Sequence, residues 1–339
     1  NVTVYDGNST AAFFSVVMAN GTTGDGAAVN AFDSSSRSNF GMLYGAGNSI
    51  TSGRGNICLG YNSGTAINTG SYNIAIGYNN FLAEDAGTDS IALGYGTLGA
   101  QNSAGGNVAI GASALNSLVA GISNVAIGKN AGADCGTQSN LKWGVFIGDE
   151  AGRRYGSDDG TSGKHAICIG YRAGYSGSGT HSGDGYDVLI GAQAGLVQTS
   201  GGYNTVVGSY AGDAITEGTY NIVMGYSAGG AITTGDNNIV IGRDAECAAS
   251  VNKQIAIGKS VATTTASTFV LGSDTTLAMC GEFGTANEAQ VGINLGNAYA
   301  APSATLHVKG EGTSSGTAAL LIEDSSGTDL LKINDDGLV

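Results

Sequence analysis

One short pattern is rewritten along this chain: "NIAIG" at residues 73–77, "SIALG" at 90–94, and "NVAIG" at 107–111 and again at 124–128. The glycine that closes it stands at Gly60, Gly77, Gly94, Gly111, Gly128, Gly148, Gly170, Gly191, Gly208, Gly225, Gly242, Gly258 and Gly272. The intervals are 17, 17, 17, 17, 20, 22, 21, 17, 17, 17, 16 and 14 residues. Self-similarity at such a period is the mark of a solenoid. The residue before the glycine is apolar in every copy, from Leu59 and Ile76 to Ile257 and Leu271. Two residues earlier stand Ile57, Ile74, Ile91, Val108, Val125, Val145, Ile167, Val188, Thr205, Ile222, Ile239, Ile255 and Phe269. β-Branched side chains at a spacing of two mean a strand. With one glycine-bounded strand per repeat and no helical period, the pattern predicts an all-β chain, a parallel β-solenoid (β-roll) of about 17-residue coils.

Composition removes the alternatives. There are 59 glycines but one proline, Pro302, and no third-residue glycine register, which excludes a collagen triple helix. Charged residues are only 12% of the chain while hydrophobic ones are 42%, enough apolar surface to offset chain entropy. A formal charge of −14 repels phosphate backbones, so no nucleic-acid partner is expected. No apolar run reaches the length of a membrane span, and no membrane insertion is expected. The first residues lack the basic start and apolar centre of a signal peptide, so no address is legible there.

The position between the two strand residues reads Cys58, Ala75, Ala92, Ala109, Ala126, Phe146, Cys168, Leu189, Val206, Val223, Val240, Ala256 and Val270, none of them polar. A strand that is apolar on both faces is buried on both. If the flanking pair fills the coil, the intermediate position must meet another chain, and small residues there suit close approach around a symmetry axis. This predicts an elongated parallel homotrimer with its seam at Ala75, Ala92, Ala109, Ala126, Phe146, Leu189, Val206, Val223 and Val240. A dimer buries one face equally well. Asparagine precedes the strand at Asn56, Asn73, Asn107, Asn124, Asn204, Asn221 and Asn238, a residue that tolerates left-handed backbone and can bond along a stack. At a strand spacing of ~4.8 Å the coils between Gly60 and Gly272 predict a shaft of roughly 60 Å.

The motif N-[IV]-A-[IL]-G, followed by a small-residue corner such as "KNAG" (129–132), resembles the head repeat of trimeric autotransporter adhesins. Those heads are left-handed parallel β-rolls packed as trimers, with a shorter repeat. The longer unit in "INTGSYNIAIGYNN" (67–80) and "ITEGTYNIVMGYSAGGAITTGDNNIVIG" (215–242) is more similar to versions found in bacteriophage tail fibres. The resemblance covers about residues 56–272. Residues 289–312, "AQVGINLGNAYAAPSATLHVKGEG", and 319–339, "ALLIEDSSGTDLLKINDDGLV", resemble the segment that precedes a self-cleaving intramolecular chaperone in tail fibre and tailspike proteins, with Asn294-Leu295 departing from the usual glycine-threonine. The resemblance implies a trimeric tail fibre in the virion, attaching it to a host surface glycan or protein receptor and joined to other tail fibre or baseplate proteins. The alternative it leaves is the head of a bacterial trimeric surface adhesin on a cell surface.

Three regions follow: an N-terminal β attachment or capping region, 1–55, with strands in "VTVYDG" and "AAFFSVVMA" and a degenerate first coil in "FGMLYGAGNSI"; the solenoid, 56–273; and a C-terminal intertwined β region, 274–339, with strands in "TLHVKG" and "LLKIND".

Chemistry is sparse. Cys58, Cys135, Cys168, Cys247 and Cys280 form no metal-ligand spacing and read as small buried residues. His165, His181 and His307 stand apart, so no metal and no cofactor is expected. No histidine-assisted nucleophile is visible, and Asp158 and Asp159, adjacent in an extended stretch, send their side chains apart and make a poor glycosidase pair. A structural protein is expected rather than an enzyme, a glycan-degrading tailspike being the weaker alternative. The three long intervals between Gly128 and Gly191 hold the one tryptophan and a cluster of basic and aromatic residues. Insertions in solenoids emerge on one face, often the binding face. Trp143, Arg153, Arg154, Tyr155, His165, Arg172 and Tyr175 are therefore candidate receptor contacts, against the plainer reading that Trp143 covers a widened coil and the arginines pair with nearby carboxylates.

Overall fold

A computed structural model describes residues 39–83, 86–135, 141–155, 165–176, 185–273, 277–282, 290–296, 306–308, 318–323 and 329–334. The chain is an all-β parallel β-solenoid of about 12 turns, with no helix among the described residues. It divides into two compact units, residues 1–204 and 205–339. The strands expected in "VTVYDG" and "AAFFSVVMA" lie outside the described residues.

In the first unit each coil contributes one short strand: β1 (Phe40–Met42), β2 (Ile57–Leu59), β3 (Ile74–Tyr78), β4 (Ile91–Tyr95), β5 (Val108–Ile110), β6 (Val125–Ile127), β7 (Val145–Ile147), β8 (Ile167–Ile169) and β9 (Val188–Ile190). Each pairs in parallel with the next, Ile57 opposite Ile74 and Ile74 opposite Ile91. The register survives the longer coils: Val125 faces Val145, Val145 faces Ile167 and Ile167 faces Val188. The ladder is the same in these coils as in the 17-residue ones. β1 pairs with β2, so the repeat reaches back to Phe40, before the boundary set at residue 56.

The second unit continues the pattern with β10 (Thr205–Val207), β11 (Ile222–Met224), β12 (Ile239–Ile241), the two-residue β13 (Glu246–Cys247), β14 (Ile255–Lys259), the two-residue β15 (Ala262–Thr263) and β16 (Thr268–Ser273). Then the direction of pairing changes. β17 (Leu277–Glu282) lies antiparallel on β16 and β18 (Gln290–Gly296) antiparallel on β17, while β19 (Leu306–Val308) pairs in parallel with β18. β20 (Ala318–Glu323) and β21 (Asp329–Asn334) form an antiparallel pair.

The two faces of the strands are opposite to the sequence expectation. Ala75, Ala92, Ala109, Ala126, Phe146, Leu189, Val206, Val223 and Val240 are fully buried inside the single chain. They line the coil interior and are not a seam between chains. The flanking residues point outward instead: Ile57, Leu93, Ile127, Ile167 and Ile190 in the first unit and Ile222 and Met224 in the second are 36–40% exposed.

What settles the direction is the far wall of each coil. Four residues after the marker glycine comes Gly64, Phe81, Leu98, Leu115, Gly132, Gly152, Gly174, Gly195, Gly212 or Gly229. Phe81, Leu98 and Leu115 are fully buried and belong to the coils whose strands carry Ala75, Ala92 and Ala109. Where the strand carries Cys58, Phe146, Leu189 or Val223, the far wall has glycine: a Cβ on Gly152 would stand 2.0 Å from Phe146 and one on Gly195 2.9 Å from Leu189. In these coils a large side chain on one wall faces a small residue or glycine on the other, and the two share the same space at native density; at Gly132 the room is taken by Leu115 and Phe146 of the neighbouring coils. The strand alanines are small because a phenylalanine or leucine faces them, and no symmetry axis is needed. The wall position has positive φ, 51° at Phe81, 50° at Leu98 and 48° at Leu115. That costs a non-glycine residue roughly 1–2 kcal/mol, less than the about 2–5 kcal/mol at stake in a buried large side chain. Packing wins.

The asparagine column is buried, and it bonds along the stack as its recurrence led us to expect. Asn73 N–H donates to Asn56 Oδ1 (2.9 Å) while Asn73 Nδ2 donates to Gly87 O (2.8 Å). The same arrangement recurs at Asn124, whose N–H donates to Asn107 Oδ1 (2.9 Å), and at Asn238 on Asn221 (3.0 Å). Left-handed backbone falls not on the asparagine but on the residue before it, such as Tyr72 (φ 61°), Ser123 (56°) or Asn237 (59°). The marker glycines have φ between 124° and 142° up to Gly258, and a Cβ on Gly77 would come within 1.9 Å of Gly94 O. Only glycine fits there.

Candidate functional site

The seven candidate contacts do not form one surface. Two lie in an aromatic column. Trp143 stands two residues before β7, His165 two before β8, Tyr186 two before β9 and Tyr203 one coil further on. Because the register holds through coils of different length, these rings line up: His165 stacks on Tyr186 (4.8 Å between centroids) and Tyr186 on Tyr203 (5.1 Å), while Trp143 packs on His165 at 4.7 Å with its ring tilted by 55°. Trp143 is 53% exposed, so it caps this column rather than covering a widened coil.

Arg153, Arg172 and Tyr175 form a second cluster, on the corner that follows the strands. Arg153 Nε donates to Asp134 Oδ2 (2.8 Å) and its Nη1 to Glu150 Oε1 (2.6 Å), while Arg172 Nε donates to Glu150 Oε2 (2.6 Å). Both guanidinium groups also lie over the Tyr175 ring, at 5.9 and 5.3 Å, and Arg172 lies over Tyr171 at 5.2 Å. Desolvation pushes the Glu150 carboxyl up, but the hydrogen bonds from Arg172 and Arg153 outweigh it and hold the group below its ordinary value. The plainer reading of these two arginines holds for Glu150, with Asp134 the partner the sequence did not single out. Pairs whose cations are solvent-exposed contribute little to stability, so the cluster fixes geometry more than it stabilises the fold. Arg154, with φ 62°, donates its backbone N–H to Ala133 O (2.8 Å) as a corner residue. Asp158, Asp159 and His181 lie outside the described residues.

Tyr155 is no surface contact. It is fully buried, its ring 6.2 Å from Phe146, and its hydroxyl donates to Asp187 Oδ2. Asp187 occupies the asparagine column, where it accepts from Asn204 N–H (2.7 Å). Burial pushes its carboxyl up to about 6, against the pull of these hydrogen bonds, and pushes the Tyr155 hydroxyl well above its ordinary range. An acid at the position that seven asparagines fill elsewhere was legible in the sequence, and it was not singled out there.

The five cysteines are all buried and none is in a disulfide, with Cys58 pushed up to about 12 and Cys247 to about 11 by desolvation. Among the described residues no group of three or more His, Cys, Asp or Glu side chains could hold a metal ion, and no helix is long and apolar enough to cross a membrane.

Sequence reasoning also missed a second aromatic column. Tyr61, Tyr78 and Tyr95 each come immediately after a marker glycine, and Tyr44 follows Leu43, which takes the glycine's place in the first coil. Their rings stack at 5.2, 5.1 and 5.3 Å with interplanar angles of 17°, 11° and 7°. The signal was the same 17-residue period, read at one position past the strand. The chain matches no known family, no curated protein and no solved structure.

Proposed function

We propose that this chain is a structural and adhesive protein, a homotrimeric bacteriophage tail fibre that attaches a virion to the host cell surface. Its partners are two further copies of itself, other tail fibre or baseplate proteins, and a surface glycan or protein receptor. The observation that carries the reading is the outward apolar pair in coil after coil. A contiguous apolar surface on a lone chain marks an interaction site, and covering the remaining exposure of each such residue is worth about 1 kcal/mol. Copies meeting along these strands would cover Leu93, Ile127 and their neighbours, so the seam belongs to the flanking residues. The likeness of residues 56–272 to tail fibre repeats, and of 289–339 to the segment before an intramolecular chaperone, supports the choice of owner.

Light scattering on the purified chain tests the assembly. The expected mass is roughly 100 kDa, three times 33.5 kDa, falling toward 33.5 kDa in Leu93→Asp/Ile127→Asp. A monomeric wild type, or a trimer indifferent to both charges, overturns it. Adhesion is tested by binding of the protein to a panel of bacterial cells. Loss of that binding in Trp143→Ala/Arg154→Ala would place the receptor at the widened coils, and unchanged binding would remove those residues as contacts.

A further inference from the structure

The tyrosine column stops abruptly. The coil after Tyr95 carries Ala112 at the same position, and the two stay in register, with Ser113 N–H donating to Tyr95 O (2.8 Å). A methyl group cannot cover a phenol ring. Tyr95 is accordingly 58% exposed where the sandwiched Tyr61 and Tyr78 are each 43% exposed. Beside the uncovered ring the corner residues lose their side chains at Gly96 and Gly99, and a cleft of about 320 Å³ opens between Tyr95, Asn79, Asn116, Ser113 and Leu82.

The chemistry of this cleft is specific in kind. It has an aromatic wall, an apolar Leu82 beside it, two amides and a hydroxyl, and among the described residues no charged one lines it. Asn79 lines the cleft, and its side-chain oxygen is buried with no hydrogen-bond partner. An aromatic face is electron-rich and attracts the polarised C–H face of a pyranose ring, while equatorial hydroxyls reach amide groups at the rim. A charged sugar or a nucleotide would find no counter-ion here and would meet a chain of net charge −14.

We propose that this cleft binds a neutral saccharide, one pyranose ring stacked on the free face of Tyr95 and held by Asn79 and Asn116. The site supplies a glycan contact for the adhesive reading above and rests on that reading for its biological role, but its ligand chemistry is testable without it.

The test is saturation-transfer NMR of the full chain with a panel of neutral methyl glycosides of glucose, galactose, mannose and N-acetylglucosamine. At least one should bind, and Tyr95→Ala should weaken it roughly tenfold, as expected for loss of one ring contact. Ala112→Tyr is the sharper variant: it extends the column by one ring and should abolish binding while leaving thermal stability the same or higher. No binding by wild type overturns the proposal and leaves the trimer measurement standing. Binding that persists in Ala112→Tyr, or that is lost only in Trp143→Ala, overturns it by placing the saccharide elsewhere. If Ala112→Tyr lowers the assembled mass and no glycoside binds, the face is a contact between copies and the proposal falls.

Discussion

Replacing Asp187 by asparagine should make the protein more stable at neutral pH and remove a pH dependence from its folding. In the native chain Asp187 is buried at the coil position that seven asparagines fill elsewhere, bonded by Tyr155 and by Asn204 N–H. Its carboxyl ionises at about 6 instead of 3.8 because burial disfavours the charge. Between those values the folded chain binds more protons than the unfolded one, so stability is greatest below pH 4, falls as pH rises through the window, and is level above it. At about 1.4 kcal/mol per pH unit the loss is about 3 kcal/mol by pH 7. Tyr155 and Cys168, the neighbouring titratable groups, are both pushed well upward by burial and stay neutral throughout. An asparagine side chain in this place keeps the bond from Asn204 N–H, and its amide can donate to the Tyr155 oxygen. Urea unfolding of wild type and Asp187→Asn from pH 4 to 7.5 reads the effect: wild type should lose midpoint over the window and the variant should not. Equal slopes in the two proteins, or a wild type flat from pH 4 to 7, would refute the assignment of a buried charge to this site.

Three further outcomes follow from the packing of the coil. Ala92→Leu and Leu98→Gly should each destabilise by about 2–3 kcal/mol, the first by overpacking and the second by a cavity. Combined, they recreate the pairing of Leu189 with Gly195 and should return to within about 1 kcal/mol of wild type by thermal unfolding. Gly77→Ala should cost roughly 3 kcal/mol or more, since its Cβ would meet Gly94 O at 1.9 Å; Gly99→Ala, whose Cβ meets nothing closer than 3.5 Å, is the control expected to be nearly neutral in the same denaturation assay. Native protein at pH 8 should react with a thiol reagent only as it unfolds, then yield five thiols per chain, because all the cysteines are buried and burial holds Cys58, Cys168, Cys247 and Cys280 in the unreactive thiol form.

The candidate site was only partly legible. The grouping of Trp143, Arg153, Tyr155 and Arg172 came from proximity in sequence, whereas stacking in this fold follows position within the coil. Trp143 therefore joins His165, Tyr186 and Tyr203 across spacings of 22, 21 and 17 residues, and Tyr155 turns inward to Asp187. Reading one position of the period at a time finds both aromatic columns. Finding the cleft takes more, since it needs the column's last ring, the missing side chains beside it and the amides of the two flanking coils at once.

The period, the strands and the glycine corners were determined by the sequence alone, because each is a local requirement imposed anew in every coil. Strand alternation separates two sets of residues onto two faces, but when both sets are apolar it carries no sign that says which is inside. That sign comes from the opposite wall, where Phe81, Leu98 and Leu115 fill the space before an alanine and Gly152 and Gly195 make room for Phe146 and Leu189. Only the closed coil brings those residues face to face. Volume, not hydrophobicity, chose the interior.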